Sequence, residues 1–436
     1  MTTTTIDAVL ERGGTGPFQK RLLGVFGLVW TADAMQVLAV GFTAASIAAT
    51  FGLTVPQALQ TGTLFFLGML IGAAVFGRLA DRFGRRRILI GTVAMDAVFG
   101  LASAFAPDFQ TLLLLRFMTG IAVGGTLPVD YAMMAEFLPP SRRGRWLVML
   151  EGFWAVGTVA VALTAWAAAS AGVTDAWRVI FFVTALPAVV GIFLRFWIPE
   201  SPMHLMRTGR EPEARAVMDK VLAANGKTPL GATPLTAMPA AGNVGLFSPQ
   251  LRRRTILMLA CWFLVSISYY GIFAWMPARL ATEGFGFVRG YGFLVLVALA
   301  QIPGYALAAY GVEKWGRRTT LTRFLVLSAA GCALFVVATT PALIAAALLI
   351  MSFALLGTWG ALYAFTPELY PTASRATGMG AAGAMARLGG LLAPSVLVYL
   401  FIQSTTAAIG LFAGLLLIAA VAARAIDVET RQAALA

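Results

Sequence analysis

Charged and metal-binding residues are scarce in this 436-residue sequence. Only 12% of the residues are charged, whereas soluble proteins average about 25%. There is one histidine, His204, and the two cysteines, Cys261 and Cys332, stand far apart in apolar stretches. This composition excludes a soluble enzyme, a disordered chain and a secreted disulfide scaffold. It predicts no cofactor and no metal site built from histidine or cysteine.

Hydrophobic residues make up 59% of the chain. They occur in runs of about twenty, the length that crosses ~30 Å of hydrocarbon as a helix. The sequence therefore predicts an all-α polytopic membrane protein with twelve transmembrane helices. Their predicted ranges are 22–50, 57–80, 87–106, 110–137, 144–171, 177–198, 254–280, 288–311, 319–338, 341–366, 374–402 and 406–425.

The net charge of +13 is unevenly distributed along the chain. With the N-terminus placed in the cytoplasm, Arg178, Arg279 and Arg289 fall outside, and Arg116 and Arg387 fall within spans. The other 27 of the 32 lysines and arginines fall at or near the cytoplasmic side, as the positive-inside rule requires. We therefore expect both termini in the cytoplasm, a lipid bilayer around the spans and no nucleic-acid partner. The N-terminal segment lacks a short apolar core with a cleavage site, so no signal peptide is expected.

A polar stretch at 199–252 divides the predicted spans into two groups of six. Residues 1–198 are predicted to form an N-terminal six-helix bundle, 199–252 a cytoplasmic linker and 253–436 a C-terminal six-helix bundle. An offset of 232 residues places Gly-Arg-Arg at 84–86 onto 316–318, and Glu136 onto Glu368. A constant offset over three spans indicates parallel repeats, in which two bundles face each other around a midplane cavity.

Charged loop motifs recur in both predicted bundles. The segment GRLADRFGRR at 77–86 has a degenerate copy ending at 313–318, and each is followed one loop later by a glutamate and an arginine seven residues apart. These motifs resemble the loop signature of the major facilitator superfamily, and 200–202 and 429–431 resemble its sugar-porter-like branch. A lone Gly-Arg-Arg indicates only a solvated cluster, but the motifs in register favour a cytoplasmic gating network. Its predicted members are Gly77, Asp81, Arg85, Arg86, Glu136, Arg143, Glu313, Arg317, Glu368 and Arg375.

Six further segments narrow the resemblance. They lie at 30–35, 124–129, 151–157, 268–271, 363–368 and 375–378. They are similar to bacterial nicotinate (niacin) permeases and to the related synaptic-vesicle transporter-like proteins of animals, and the similarity covers nearly the whole chain. At one position this chain departs from that pattern, because many of those permeases carry an acid where it has Thr126. It has Asp130 one helical turn later. The resemblance implies the major facilitator fold.

Ionisable residues inside spans cost about 2.5–3.5 kcal/mol each, so each one is a functional candidate. Asp33 lies halfway along the first span, and Arg116 lies in the fourth. In proton-coupled sugar porters a matching pair couples transport to protons. That resemblance implies that Asp33 accepts the proton and that Arg116 is its counter-charge. The alternative is a static buried ion pair, and Asp96 in the third span is the rival acid.

Arg387 stands alone in the glycine-rich eleventh span. A guanidinium grips a carboxylate through two parallel hydrogen bonds, which suits a small aromatic acid. The alternative role is to hold span eleven to an acid such as Glu151, which lies where sugar porters place polar substrate ligands. Asp130 in span four is a further candidate ligand. Aromatic side chains expected to pack on a flat ring are Tyr270, Trp359 and Tyr363.

These features predict a secondary active transporter rather than an enzyme. We expect a monomer in the plasma (inner) membrane that imports a small aromatic carboxylate, foremost nicotinate, by proton symport with alternating access. The alternatives are a polyspecific exporter of organic ions or drugs and a sugar transporter. The sequence contains no nucleophile–base arrangement, no metal-ligand set and no phosphate-binding loop followed by Lys-Ser/Thr. Enzymatic and ATP-driven activities are therefore not expected.

Single cysteines can test the predicted orientation. A cysteine at Asp108 or in the turn at 403–406 should react with an impermeant thiol reagent added to intact cells, because both positions are predicted to lie outside. A cysteine at Gly209 should react only after the cells are opened. Labelling in the opposite pattern would mean that the chain is inserted the other way round.

Overall fold

The computed structural model describes residues 4–231, 233–236, 245–283, 291–403 and 405–431. The described residues are mostly helical, as apolar runs in a bilayer require, because a helix satisfies its backbone N–H and C=O groups within one segment. The predicted extracellular Arg289, the start of the span predicted at 288 and Ser404 of the predicted turn lie outside the described residues.

The described residues of the N-terminal half form nine helices. They are α1 Ile6–Gly13, α2 Pro17–Phe51, α3 Val55–Ala58, α4 Gln60–Phe83, α5 Arg85–Ser103, α6 Phe109–Ala135, α7 Arg143–Glu151, α8 Phe153–Ser170 and α9 Ala176–Arg195. Two shorter helices follow, α10 Pro202–Arg207 and α11 Glu211–Ala224. The helices described in the C-terminal half are α12 Arg252–Glu283, α13 Tyr291–Leu299, α14 Gln301–Lys314, α15 Arg317–Val337, α16 Pro341–Phe365, α17 Arg375–Gln403 and α18 Thr405–Arg424.

Ten helical segments in the described part are long and apolar enough to cross a membrane. Among them, α7 and α8 form one span that is interrupted at Gly152. The helices α5 and α17 occupy the two remaining predicted positions. α5 begins with three arginines and contains Asp96, so it is more charged than those ten. α17 is rich in glycine and alanine and carries Arg387. Six spans in each half match the predicted arrangement.

Glycines let the helices within each half pack backbone to backbone. A Cβ on Gly124 of α6 would lie 2.1 Å from the carbonyl oxygen of Met69 on α4. In the C-terminal half, a Cβ on Gly304 of α14 would lie 2.2 Å from the carbonyl oxygen of Phe353 on α16. Helices in a bilayer associate largely through such close packing. These contacts therefore bind the helices of each half into one unit.

The two halves meet where α4 packs on α17. A Cβ on Gly77 would lie 2.5 Å from the carbonyl oxygen of Ala376, and a Cβ on Gly380 would lie 2.4 Å from that of Ala73. These contacts lie beside the charged loop motifs, on the side we predicted to be cytoplasmic. The structure is therefore closed on the predicted cytoplasmic side.

A helical cap formed by α1, α10 and α11 covers that side. The buried apolar residues of α1 are Ile6, Val9 and Leu10. Beside these residues, Asp7 accepts a hydrogen bond from Arg143 at 2.8 Å. The side chain of Asn225, just after α11, donates to the carbonyl oxygen of Gly13 at 3.2 Å. The segment between the halves thus holds the N-terminal helix against the first bundle.

Gly77→Val should loosen the contact between the halves without disturbing the packing inside either half, because the new side chain would meet the backbone of α17. A cysteine at Ala73, which is 1% exposed, should then react severalfold faster with a thiol reagent. Gly91→Val is the matched control, since nothing lies within 4 Å of a Cβ at Gly91. Equal labelling rates in the two variants would show that this contact does not keep the side closed.

Candidate transport site

Glu136 is the centre of the charge network between the halves. It is fully buried, and it accepts hydrogen bonds from Arg85 of its own half at 3.2 Å and from Arg375 of the other half at 2.8 Å. Ser201 also donates to it. Burial alone would raise the pKa of Glu136, but the charges of Arg85 and Arg375 outweigh burial and hold that pKa below its ordinary value. At neutral pH the charged carboxylate therefore joins an arginine from each half.

Arg85 has further partners that the sequence analysis did not predict. Its Nη1 lies 3.1 Å from Nδ1 of His204, and its Nη2 donates to the carbonyl oxygen of Thr372 in the other half at 3.0 Å. Burial and the charge of Arg85 lower the pKa of His204 to about 4, so the imidazole is neutral at neutral pH and its Nδ1 accepts. A lone histidine in a polar linker carries no signal of this role, because the linker reaches the network only in the folded chain.

Asp81 connects the N-terminal half to the first turn of α17. Its carboxylate accepts from the backbone N–H of Thr377 at 2.8 Å and from the Thr377 hydroxyl at 2.7 Å, and it pairs with Arg85 at 3.0 Å. The N-terminus of a helix carries partial positive charge, so a carboxylate there stabilises the contact. The contact between Asp81 and Thr377 must therefore break when the predicted cytoplasmic side opens.

The second copy of the motif forms a similar charge network in the C-terminal half. Glu368 accepts two hydrogen bonds from Arg317, at 3.0 and 3.1 Å. Glu313 pairs with Arg317 at 3.6 Å and accepts the backbone N–H of Arg145, from the other half, at 2.8 Å. Both copies therefore contribute contacts between the halves.

Each motif ends where a helix begins, and a glutamate caps the first turn of that helix. Gly84 and Gly316 have φ of 100° and 93°, a conformation that favours glycine. The backbone N–H of the residue after each glycine donates to a glutamate that follows the last span of that half. Arg85 donates to Glu200 at 3.0 Å, and Arg317 donates to Glu429 at 2.8 Å. Arg86 donates to a carbonyl oxygen just after α9 at 2.8 Å. Arg86 thus holds the end of the sixth span rather than the other half.

A small cavity lies between the halves. Its lining residues are Glu151 and Trp154 from the N-terminal half and Tyr269, Tyr270, Trp359, Tyr363 and Arg387 from the C-terminal half. Five of these seven are predicted substrate residues, and Trp154 and Tyr269 are additional. Asp130, the remaining predicted substrate residue, is fully buried and does not line this cavity.

Arg387 supplies the positive charge of the cavity. It is 3% exposed, and its Nη1 donates to the hydroxyl of Tyr270 at 2.7 Å. Its Nε has no hydrogen-bond partner among the described residues, and neither has the indole N–H of Trp359. No described carboxylate lies within 4.0 Å of the guanidinium. The cavity therefore presents donors that a ligand acceptor can use.

Glu151 joins the two halves inside the same cavity. Tyr131 of the N-terminal half donates to one of its oxygens at 2.5 Å, and Tyr305 of the C-terminal half donates to the other at 3.3 Å. The ring of Tyr131 stacks on that of Tyr363 with centroids 4.3 Å apart. Glu151 and Arg387 form no ion pair within 4.0 Å, so the direct tie between them that we considered from the sequence is not made.

Arg116 is held by an amide in the part of α6 that lies away from Glu136. It is fully buried and donates to the side-chain oxygen of Gln36 at 2.7 Å and to the Gln36 carbonyl at 3.2 Å. Its guanidinium lies 4.6 and 4.5 Å from the ring centres of Phe65 and Phe181, a favourable contact for a buried cation. Asp96 is the acid whose charge acts on Arg116.

The three predicted coupling residues do not form one group. Asp96 and Arg116 lie beside Gln36, whereas Asp33 acts on the cavity residue Tyr363. Asp96 is 1% exposed, and its carboxyl oxygens have no hydrogen-bond partner among the described residues. A Cβ on Gly100 would lie 2.5 Å from Nε2 of Gln36 and 3.4 Å from Oδ1 of Asp96, so these two side chains flank Gly100. Asp33 is also 1% exposed and acts electrostatically on Tyr363 of the cavity. Gln36 was not among the predicted residues, although an amide three residues after Asp33 on one span is a readable signal.

Comparison with known proteins identifies the family. The sequence model of the Major Facilitator Superfamily matches residues 24–394 and 292–434. The chain belongs to this superfamily. The niacin transporter NiaP of Acinetobacter baylyi is 34% identical over 90% of this chain and 90% of its own. The synaptic vesicle 2-related protein of Xenopus laevis is 30% identical over 98% of this chain and 82% of its own.

A solved structure supports the fold of this facilitator. The proton:xylose symporter XylE bound to 6-bromo-6-deoxy-D-glucose has a TM-score of 0.80, with 20% identity over 96% of this chain and 98% of the other. The predicted fold of twelve helices in two bundles is therefore confirmed. The facilitator is a multi-pass membrane transporter of a small molecule and not an enzyme, as predicted.

Glu136→Gln should lower the melting temperature of the purified facilitator, because two buried arginines would lose the charge between them. Breaking a buried ion pair costs about 3–5 kcal/mol. The pKa of Glu136 lies below its ordinary 4.5, so its stabilising effect should be complete above about pH 4.5 and lost as the pH falls through the lower value. The Gln variant should lack that acid-dependent loss.

Glu213→Gln is the matched control for this substitution. Glu213 pairs with Arg210 at 2.5 Å in an exposed position on α11, and exposed pairs contribute little. A fall in melting temperature of equal size in both variants would contradict a central role for Glu136.

Proposed function

We propose that this facilitator imports a small aromatic carboxylate, foremost nicotinate, by proton symport with alternating access. The observation that carries the proposal is Arg387, a buried cation in an aromatic cavity with no described carboxylate within 4.0 Å. A buried charge is costly without a partner, so a ligand that supplies a carboxylate is favoured. The likeness to a niacin transporter supports nicotinate within that class.

The cavity suits a flat anionic ring. Arg387 offers its Nε, which has no hydrogen-bond partner among the described residues. A guanidinium binds a carboxylate most strongly through two parallel hydrogen bonds. The lining indoles and phenols provide apolar ring faces, against which an aromatic ligand packs favourably in stacked or edge-on contact. The indole N–H of Trp359 is a further donor without a partner among the described residues.

The positions of the cavity and the network support alternating access. The cavity is lined by residues of both halves, so rocking of one half against the other opens or closes the ligand contacts. Glu136, Arg85 and Arg375 close the predicted cytoplasmic side in the present structure. Import then requires this network to break after the ligand has bound. We place the protein in the plasma (inner) membrane as a monomer with both termini in the cytoplasm.

An exporter of organic cations fits the cavity less well. Such a protein would present an acid that lacks hydrogen-bond partners and would not require a buried arginine. In this cavity both oxygens of Glu151 already accept hydrogen bonds, whereas Arg387 keeps a free donor among the described residues. The arrangement of charges therefore favours an anion.

Arg387→Ala should weaken nicotinate binding by about 2–5 kcal/mol, because it removes one partner of a buried charge pair. Arg387→Lys should also bind poorly, since a point charge cannot reproduce the planar fork of the guanidinium. Nicotinamide has the same ring without the anionic group, so its weaker binding should change far less. Titration calorimetry on the purified protein measures both ligands.

Arg253→Ala serves as the control, because Arg253 is an exposed arginine of the same half. It should leave both affinities unchanged. If Arg387→Ala weakened nicotinate and nicotinamide equally, the carboxylate would not be bound by Arg387, and the aromatic residues would be the main recognition surface.

A further inference from the structure

Glu151 lies at a break in its span. The helix α7 ends at Glu151 and α8 begins at Phe153, with Gly152 between them. Interrupted helices are common at transporter binding sites, where the break aims polar groups at the ligand. The side chain of Glu151 is 2% exposed and lines the cavity. An acid therefore lies in the same cavity as the carboxylate-binding arginine.

The hydrogen bonds of Glu151 suit its charged form. Tyr131 and Tyr305 each donate to one carboxylate oxygen, at 2.5 and 3.3 Å. A phenol has one hydrogen to donate, and an ionised carboxylate can only accept. A protonated carboxyl group has a hydrogen of its own, so one phenol must turn to accept it. The longer bond belongs to Tyr305, which lies in the other half, so protonation of Glu151 reverses a hydrogen bond between the halves.

Arg387 is the cation that compensates Glu151. The titratable groups that face Glu151 from the helices around it are Tyr131 of α6, Tyr269 and Tyr270 of α12, Tyr305 of α14, Tyr363 of α16 and Arg387 of α17. Asp33 of α2 acts on Tyr363, and Trp30 of α2 lies near Glu151. Phenols are neutral near pH 7. The positive charge that acts on Glu151 is thus that of Arg387.

Binding of a substrate carboxylate to Arg387 changes the charges that act on Glu151. It neutralises the cation that stabilises the Glu151 carboxylate, and it brings a second negative charge into the same apolar cavity. Two carboxylates that share a buried site favour protonation of one of them. The substrate must stay ionised to keep its two-pronged contact with Arg387, so Glu151 is the group that takes up the proton.

We propose that Glu151 binds the transported proton and that occupation of Arg387 by the substrate carboxylate drives this protonation. This inference rests on the proposed function and names the coupling group within it. On the outer side, a proton from water bonds to a Glu151 oxygen as the anion binds. On the inner side the anion leaves, and the charge of Arg387 again stabilises the Glu151 carboxylate. The proton then returns to water. One proton thus accompanies each carboxylate.

The coupling must be reciprocal. If the anion raises the affinity of Glu151 for a proton by some factor, protonation raises the affinity for the anion by the same factor. Carboxylate affinity should therefore fall as the pH rises, by about tenfold per pH unit where free Glu151 is ionised and bound Glu151 is protonated.

The test measures proton uptake on binding by the purified full-length protein. Nicotinate and benzoate are added in weakly buffered detergent solution containing a pH indicator, and dissociation constants are measured by calorimetry between about pH 5.5 and pH 8.5. We expect about one proton taken up per carboxylate bound on the alkaline side of this range, and affinity that weakens as the pH rises.

Four variants assign the proton to a residue. Glu151→Gln keeps the shape of the neutral acid, so it should still bind carboxylates but take up no proton, with affinity independent of pH. Tyr305→Phe removes a donor that favours the charged form, so it should move the pH dependence to higher pH while proton uptake persists. Asp33→Asn and Asp96→Asn, in the two acids that are the alternative coupling groups, should leave proton uptake on binding intact.

The outcomes separate the inference from the proposed function. Proton uptake that survives in Glu151→Gln, or that disappears in Asp33→Asn or Asp96→Asn, would overturn Glu151 as the proton-binding group. Carboxylate binding to the wild type without proton uptake would overturn the coupling inference and leave carboxylate recognition standing. If neither nicotinate nor benzoate bound to the wild type at any pH, the proposed function and the inference would both be wrong. An unshifted pH dependence in Tyr305→Phe would also contradict the inference.

Discussion

The carboxylate of Glu136 stays buried between two arginines of different halves for as long as the predicted cytoplasmic side is closed. A buried charge without its partner is strongly destabilising, so neither half can move away until water replaces Arg375 or Arg85. The contact between Asp81 and Thr377 and the glycine contacts between α4 and α17 close the same side. The network therefore sets the energy that ligand and proton binding must overcome.

The charged groups of the cavity are arranged differently from those of the network. At the network, each charged group meets its partner at short range, and the closed state is stable without a ligand. In the cavity, Arg387 and Glu151 share one space without a direct contact. A bound anion can then supply the negative charge that Arg387 lacks at short range. Ligand binding in the cavity and separation of the network are linked because both involve the same two halves.

Much of this arrangement could be predicted from the sequence. Membrane spans are long apolar runs, and the repeated loop motifs place Glu136 and Glu368 at corresponding positions of two bundles, each followed seven residues later by an arginine. Charged groups of the two halves were therefore expected to meet at this side. Arg387 was predictable because a lone cation inside a span is costly. The partners of Glu151 were not, since Tyr131 and Tyr305 reach it from separate helices and a tyrosine in a span is usually ordinary packing. Asp130 shows the limit of counting along a helix: its neighbour Tyr131 points to Glu151, and adjacent helical residues point about 100° apart.

The contact between α1 and the segment after α11 also has a consequence for the order of assembly. Asn225 binds Gly13 and Phe18, and Leu222 lies beside Gly13, although more than two hundred residues separate them in the chain. Chains are synthesised from the N-terminus, so these partners leave the ribosome only after the first six spans have been made. Until then, the apolar face of α1 lacks this part of its final binding surface. Docking of the first helix is therefore a late event, and its protection from proteolysis would report that the first bundle has been completed.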